Sequence, residues 1–198
     1  VGRRGWGGTP PLDDDEAVAR IVEATVRLVQ SNGAPATTMS AIADELGITR
    51  RTLYRYFDGV DDLFRVVGDR AFATYQERLE AETAHLIDPA ALAVESVARI
   101  IETLATEPLL TLLLAVGHTE TFTRAMLSAE IVTRCREILL SRRVDWSTVA
   151  PDADALDELV EFLLRLIQSM VIAPSEPARS PAELRAVLGR WIGPVLGG

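Results

Sequence analysis

Residues 49–57 read TRRTLYRYF, placing Arg50, Arg51 and Arg55 with Tyr54 and Tyr56 in one short stretch that contains no acidic side chain. A guanidinium fork can grip guanine O6 and N7 together, and arginine, tyrosine, threonine and exposed backbone N–H groups donate to phosphate oxygens. Read as a helix over 50–57, the stretch turns Leu53 and Phe57 inward, four residues apart. Arg50, Arg51, Tyr54 and Arg55 then lie on the opposite side, near the positive end of the helix. That geometry assigns base reading to Arg50 and Arg51, with Tyr54 contributing. Arg55, Tyr56, Thr38, Thr49 and Thr52 are assigned to phosphate or flanking contacts. Charge and periodicity alone leave a second reading open, in which the same helix is a solvated basic surface packed on a neighbour.

The elements that must hold this stretch are helical. Acidic residues 13–16 favour the positive end of a first helix. Ile21, Ala24, Thr25, Leu28 and Val29 recur at three- and four-residue spacing, which predicts a helix over 14–31 ended by Asn32-Gly33. Thr38 caps a second helix with Met39, Ile42, Ala43 and Leu46 inward, and Gly47 closes it. Thr49 then caps the arginine-bearing helix after a gap short enough to force an abrupt crossing. Longer helices are expected at 61–82, 89–105, 108–116, 121–144, 152–172 and 181–195, with Pro89, Pro108 and Pro181 at helix starts, where a missing N–H costs little. No stretch alternates with period two for long enough to require a strand. The expected class is all-α: an N-terminal three-helix helix-turn-helix domain, then an all-helical body. The boundaries are 1–12 for a flexible Gly- and Pro-rich arm, 13–60 for the DNA-binding domain and 61–198 for the body. The arm is either a simple tail or a basic segment, with Arg3, Arg4 and Trp6, that tracks DNA.

Composition bounds the alternatives. The chain has 198 residues and a formal charge of −9, and its 20 basic residues are all arginine. Residues 1–60 hold seven Arg against eight Asp and Glu, a net of −1, which leaves −8 for residues 61–198. A local basic face on an acidic body can still dock on a polyanion, because charge more than about 10 Å away is largely screened. One cysteine, Cys135, excludes an intramolecular disulfide framework and a multi-thiolate zinc site. No apolar run is long enough for a membrane span, and Arg3 and Arg4 are not followed by the apolar segment of a secretory signal, so a cytoplasmic protein is expected. The two histidines, His85 and His118, fit no metal-ligand spacing or nucleophile turn, so neither catalysis, a metal nor a cofactor is expected.

Residues 38–63, TMSAIADELGITRRTLYRYFDGVDDL, closely resemble the N-terminal domain of the TetR family of bacterial transcriptional regulators. The resemblance rests on Thr38, Ile42-Ala43, Gly47-Ile48-Thr49, Thr52-Leu53-Tyr54, Tyr56-Phe57 and Leu63 in that order, and it extends across roughly 17–67. It implies a three-helix DNA-binding domain joined through helix four to an all-helical C-terminal ligand-binding and dimerisation domain. It further implies a homodimer on a palindromic operator in double-stranded DNA, with repression relieved by a small ligand. Two positions depart from the family pattern. Leu46 replaces a common alanine, and Val60 stands where a phosphate-contacting lysine is usual, beside Asp58, Asp61 and Asp62.

The body carries no comparably sharp motif. Residues 152–172 present Leu156, Leu159, Val160, Leu163, Leu164, Ile167, Met170 and Val171, a wider apolar arc than one contact needs. The helix therefore either dimerises, together with parts of 121–144, or lies at the centre of the monomer. Candidate walls of a site for a small, partly apolar effector are Phe72, Tyr75, Leu79, Leu104, Leu113, Phe122, Met126, Phe162 and Leu166, with His118 as a polar contributor; ordinary core packing competes at each. Trp146 is expected to pack the end of the 121–144 helix, and His85 to lie at the surface. Cys135, between Arg134 and Arg136, is either a packed thiol or one whose thiolate the arginines favour. The functional alternative to a ligand-responsive regulator is an interaction or scaffold protein on the same fold with weak DNA binding.

Overall fold

The structure, a computed structural model, describes residues 5–115 and 127–196, without the side chains of Thr111, Leu113, Leu114, Ala115 and Glu130. Among the described residues every regular element is helical. They form two compact units. One comprises those within Val1–Ala73 and Glu107–Gly117, the other those within Thr74–Thr106 and His118–Gly198.

The first unit is built on local signals. Helix α1 (Asp14–Asn32) starts where the Asp13 carboxylate accepts from the Glu16 N–H at 2.8 Å, and its first turn carries Asp14, Asp15 and Glu16. It stops at Gly33, whose φ of 78° suits a residue without Cβ. Helix α2 (Met39–Leu46) is capped by Thr38, which accepts from the Ala41 N–H at 3.2 Å, and closes on Gly47 in the left-handed region at φ 64°. Helix α3 (Arg50–Leu53) is capped by Thr49, which accepts from the Thr52 N–H at 3.1 Å. Helix α4 (Val60–Thr83) contributes its first part to this unit, and α6 (Pro108–Ala115) packs on α1. Ile21, Ile42, Leu53, Leu63 and Leu112 are fully enclosed at their meeting point, each burial stabilising by about 2 kcal/mol against an exposed side chain.

The second unit centres on α5 (Pro89–Thr106), which packs against α8 (Ala153–Ile172), α9 (Pro181–Trp191) and α10 (Gly193–Leu196), while α7 (Ala129–Leu140) packs on α8. Leu92, Val97, Ile101, Leu104, Leu156, Val160, Ile167, Leu188 and Ile192 are buried there. Trp146 is buried after α7 and donates its indole N–H to the Leu139 carbonyl at 2.9 Å, as its expected packing role requires. Arg142 donates to the Glu80 carbonyl at 3.1 Å and to the Thr83 hydroxyl at 2.7 Å, supplying a cation and donors where the last turn of α4 leaves carbonyls unpaired.

Three helix boundaries differ from the periodicity reading. The helix expected over 50–57 keeps regular geometry only to Leu53. Beyond it the N–H groups of Arg55 and Tyr56 bond three residues back, to Thr52 and Leu53, a tightened last turn that still leaves Leu53 and Phe57 buried. The helix expected over 121–144 is not continuous. Ser128 accepts from the Ile131 N–H at 3.3 Å and starts α7 afresh, and that helix ends at Leu140; residues 121–126 lie outside the described residues. The last helix breaks at Ile192, because Gly193-Pro194 supplies a flexible residue and then removes a backbone donor.

An ion cluster ties α9 to α5. Arg185 reaches both carboxylate oxygens of Glu95, at 2.8 and 3.0 Å, and Glu102 at 2.5 Å, and Arg99 also bonds Glu95 and Glu82. Bidentate bonding from Arg185 holds the Glu95 carboxyl below the usual carboxylate range; partial burial opposes this and Arg99 adds to it. A folded-state pKa below the unfolded value contributes stability above about pH 4.3, and that stability is lost as pH falls through the folded value. Arg185→Ala is expected to cost about 1–3 kcal/mol at neutral pH, since the cluster is partly solvated but leaves two carboxylates without their main partner. Denaturant melts across pH should show this deficit shrinking below about pH 4; a deficit independent of pH would show that the cluster acts through packing alone.

Candidate nucleic-acid interface

Burial decides which side chains of the arginine stretch reach solvent. Leu53 and Phe57 anchor it in the first unit's core, leaving Arg50, Arg51 and Tyr54 exposed. The Arg50 and Arg51 side chains make no hydrogen bond or ion pair among the described residues. The threonines are committed locally. Thr38 and Thr49 act as helix caps, and the Thr49 and Thr52 hydroxyls lie 2.9 Å apart. Each cap is worth about 1 kcal/mol to its helix and sets the direction in which the next backbone N–H groups point.

Arg55 and Tyr56 are placed differently. The Arg55 guanidinium donates to Asp14 Oδ1 at 3.1 Å and the Tyr56 hydroxyl donates to the same oxygen at 3.0 Å. Arg55 also bonds the Tyr56 hydroxyl and lies over its ring, 4.6 Å from the centroid. The sequence reading missed Asp14 as a partner because it lies 41 residues away from Arg55.

Val60, which stands where the family pattern suggests lysine, is half-buried against the first unit's core. Its neighbour Asp62 is paired with Arg65 at 3.0 Å. Leu46 occupies the same core at 9% exposure, so the larger side chain is accommodated within it.

The segment before α1, expected to be flexible, is held in place over its described residues 5–12. Trp6 packs against the first unit's core. A Cβ on Gly5 would sit 3.3 Å from the Gly47 carbonyl oxygen and from Ile48 Cγ2, closer than an ordinary contact. Arg20 donates to the Thr9 carbonyl at 2.6 Å, and the Leu12 N–H donates to Glu16 at 2.6 Å. The Leu12 N–H, and then Arg20, hold the Glu16 carboxyl below its ordinary range. Arg3 and Arg4 lie outside the described residues.

The effector residues read from the sequence divide among several environments. Tyr75 and Leu104 are buried in the second unit, Leu79 and Leu166 are half-buried there, and Phe72 is half-buried in the first. Phe162, expected to face a cavity, is 52% exposed. The side chain of Leu113, and His118, Phe122 and Met126, lie outside the described residues. The Tyr75 hydroxyl and Gln168 Nε2 are buried without a hydrogen-bond partner among the described residues. Burial pushes the Tyr75 phenol above its ordinary range, opposed by the Thr103 side chain, which lies near the hydroxyl without meeting hydrogen-bond geometry. Gln168 went unread, although its signal is present: it stands four residues after Leu164, where the apolar period of α8 calls for core. Burial likewise raises the Cys135 thiol above its usual range against the smaller pull of Arg134, which favours the packed thiol over the activated one.

Comparison with known proteins places these features in a family. Residues 21–67 match the model for bacterial regulatory proteins of the tetR family. An uncharacterized HTH-type transcriptional regulator of Mycobacterium tuberculosis is 23% identical over 181 residues, covering 91% of this chain and 85% of that protein. Among solved structures, a TetR-family transcriptional regulator from Pectobacterium atrosepticum has a TM-score of 0.65 at 20% identity, covering 93% of this chain and 96% of the other. The TetR family repressor AlkX from a Dietzia strain gives 0.60 at 19%, covering 91% and 95%. Thermus thermophilus FadR, described as a TetR-family transcriptional repressor in complex with lauroyl-CoA, gives 0.63 at 19%, covering 90% and 94%. The structural likenesses show the fold, and the family match covers the helices that carry the exposed arginines: residues 21–67 form an N-terminal domain of the kind found in the tetR family of bacterial regulatory proteins.

Proposed function

We propose that the protein is a ligand-responsive homodimeric regulator that binds palindromic operators in double-stranded DNA, with repression as its output. The observation that carries this reading is the exposed Arg50-Arg51, whose side chains are unpaired among the described residues, at the start of a capped helix whose inward side chains fix its orientation. Arginines there can enter a major groove and read guanine, at about 1–3 kcal/mol of discrimination per bidentate pair. Repression is supported by the similarity to AlkX and FadR, both of which are repressors.

Two copies of the reading helix would have to sit about 34–36 Å apart, or a multiple of a helical turn, to meet successive major grooves. A two-fold partner is supported by exposed apolar side chains in the second unit. Phe162 and Ile172 on α8, with Trp191 on α9 and Val195 on α10, are 52%, 44%, 71% and 69% exposed. Side chains of this size left in water are what a self-complementary interface would cover.

Effector binding in the second unit is supported by the buried Tyr75 hydroxyl and Gln168 Nε2, which have no hydrogen-bond partner among the described residues, since a ligand supplying the missing partners would recover the cost of burying them. An effector with higher affinity for a dimer whose reading helices are wrongly spaced would release DNA.

Selection from a random duplex library tests the DNA reading directly and reports half-site spacing. Arg51→Ala is expected to relax sequence preference by about 1–3 kcal/mol at the base it reads, whereas Arg55→Ala is expected to weaken binding evenly across sequences. Equal losses on matched and mismatched duplexes for both variants would refute this division of roles. For the dimer, Phe162→Glu combined with Trp191→Glu is expected to reduce the light-scattering mass at micromolar concentration from two chains to one. A single-chain mass for the unmodified protein would remove the two-fold premise.

A further inference from the structure

We infer that Asp14 sets the DNA affinity of this protein by occupying, in the free state, the place that a backbone phosphate takes in the complex. The inference rests on the DNA-binding reading above. A phosphate oxygen recognised at the end of the reading helix would accept from a guanidinium and a phenolic hydroxyl, the two groups best suited to that contact outside the base edges. Asp14 Oδ1 already accepts from both, at 3.1 Å from Arg55 and 3.0 Å from Tyr56. The carboxylate therefore satisfies the same pair of donors with the same charge sign.

Two features make this a competition and not a fixed structural bond. The acceptor is held in place: Asp13 caps α1, and Glu16 in the same turn is bonded to the Leu12 N–H and to Arg20, which in turn holds the Thr9 carbonyl. The pair itself is open to water, with the Arg55 and Asp14 side chains 64% and 79% exposed. An ion pair so exposed is weak, and a polyanion that brings its own oxygen can displace it. The arrangement bears on Val60, which carries no charge of its own. Arg55 and Arg65 are the two cations nearest to it in sequence; Arg65 is paired with Asp62 and Asp69 within its own helix, and Arg55 is engaged by Asp14 until DNA arrives. Operator binding thus includes breaking one internal contact, which lowers affinity for any duplex without altering which bases are read.

The simpler account is that Asp14 only complements the positive end of α1 and repels DNA as any surface acid would. Asp15, the next residue in the same turn, separates the two accounts. It carries the same charge and forms no ion pair among the described residues.

The test uses the full chain and a labelled duplex of mixed sequence, with affinity measured by fluorescence anisotropy over a range of salt concentrations. Asp14→Asn and Asp14→Ser are expected to bind about 3–10-fold tighter than the unmodified protein with a similar log–log salt slope, because Arg55 contacts the same phosphate in both complexes and only the cost of freeing it is removed. Asp14→Asn combined with Arg55→Ala should bind no better than Arg55→Ala alone, because the gain passes through Arg55. Asp15→Asn should give less than half the gain in log affinity and leave the slope unchanged. Equal affinities for the Asp14 variants and the unmodified protein, or equal gains from Asp14→Asn and Asp15→Asn, would overturn the inference while leaving DNA binding standing. If neither the unmodified protein nor the folded Asp14 variants binds duplex better than an Arg50→Ala, Arg51→Ala double variant, the DNA-binding reading itself fails and the inference falls with it.

Discussion

The geometry of the candidate DNA face depends on the burial of Leu53 and Phe57 in the first unit's core. These two side chains lock the short helix α3 and its tightened final turn against Ile42, Leu63 and Leu112. With the inward direction set, Arg50, Arg51 and Tyr54 have only solvent to face. A side chain meant to read a groove needs a backbone that does not move when it binds, and enclosed apolar contacts on the far side provide that rigidity. The caps at Thr38 and Thr49 and the left-handed turn at Gly47 fix the crossing of α2 and α3. The hydrophobic anchor and the polar turn therefore act on the same few residues.

The second unit relies on a different balance. Apolar burial along α5 and α8 is supplemented by Arg185, which joins helices distant in sequence through two carboxylates, and by Arg142, which closes the last turn of α4. Arginine suits both tasks because its planar fork serves several acceptors at once. Against this background the Tyr75 hydroxyl and Gln168 Nε2 stand out as buried donors without a hydrogen-bond partner among the described residues. Folding tolerates few such groups, because a buried donor without an acceptor carries its full desolvation cost.

Charge near the reading helix is arranged with more restraint than the composition suggests. Arg50 and Arg51 are free among the described residues, whereas Arg55 is held by Asp14, and Arg65 by Asp62 and Asp69. An acidic protein with a small basic face limits nonspecific attachment to polyanions by its overall charge. Internal pairing of the outer cations refines that limit close to the contact itself.

Much of this was legible in the sequence, because the relevant signals are local. Helix periods, the caps at Thr38 and Thr49, the stops at Gly33 and Gly47, and the inward pair Leu53 and Phe57 each depend on residues within a turn or two of one another. The all-helical class and the family motif follow from such short-range patterns. The tertiary structure alone decided what joins distant residues: Asp14 meeting Arg55 and Tyr56, Arg185 meeting Glu95 and Glu102, and Trp6 lying on the first unit's core. It also decided which apolar residues of α8 are enclosed and which, like Phe162, face solvent. Periodicity can identify a stripe wide enough for two neighbours, but which neighbour covers which part depends on how whole helices pack. That packing is set by the summed shape of many side chains and by no single spacing.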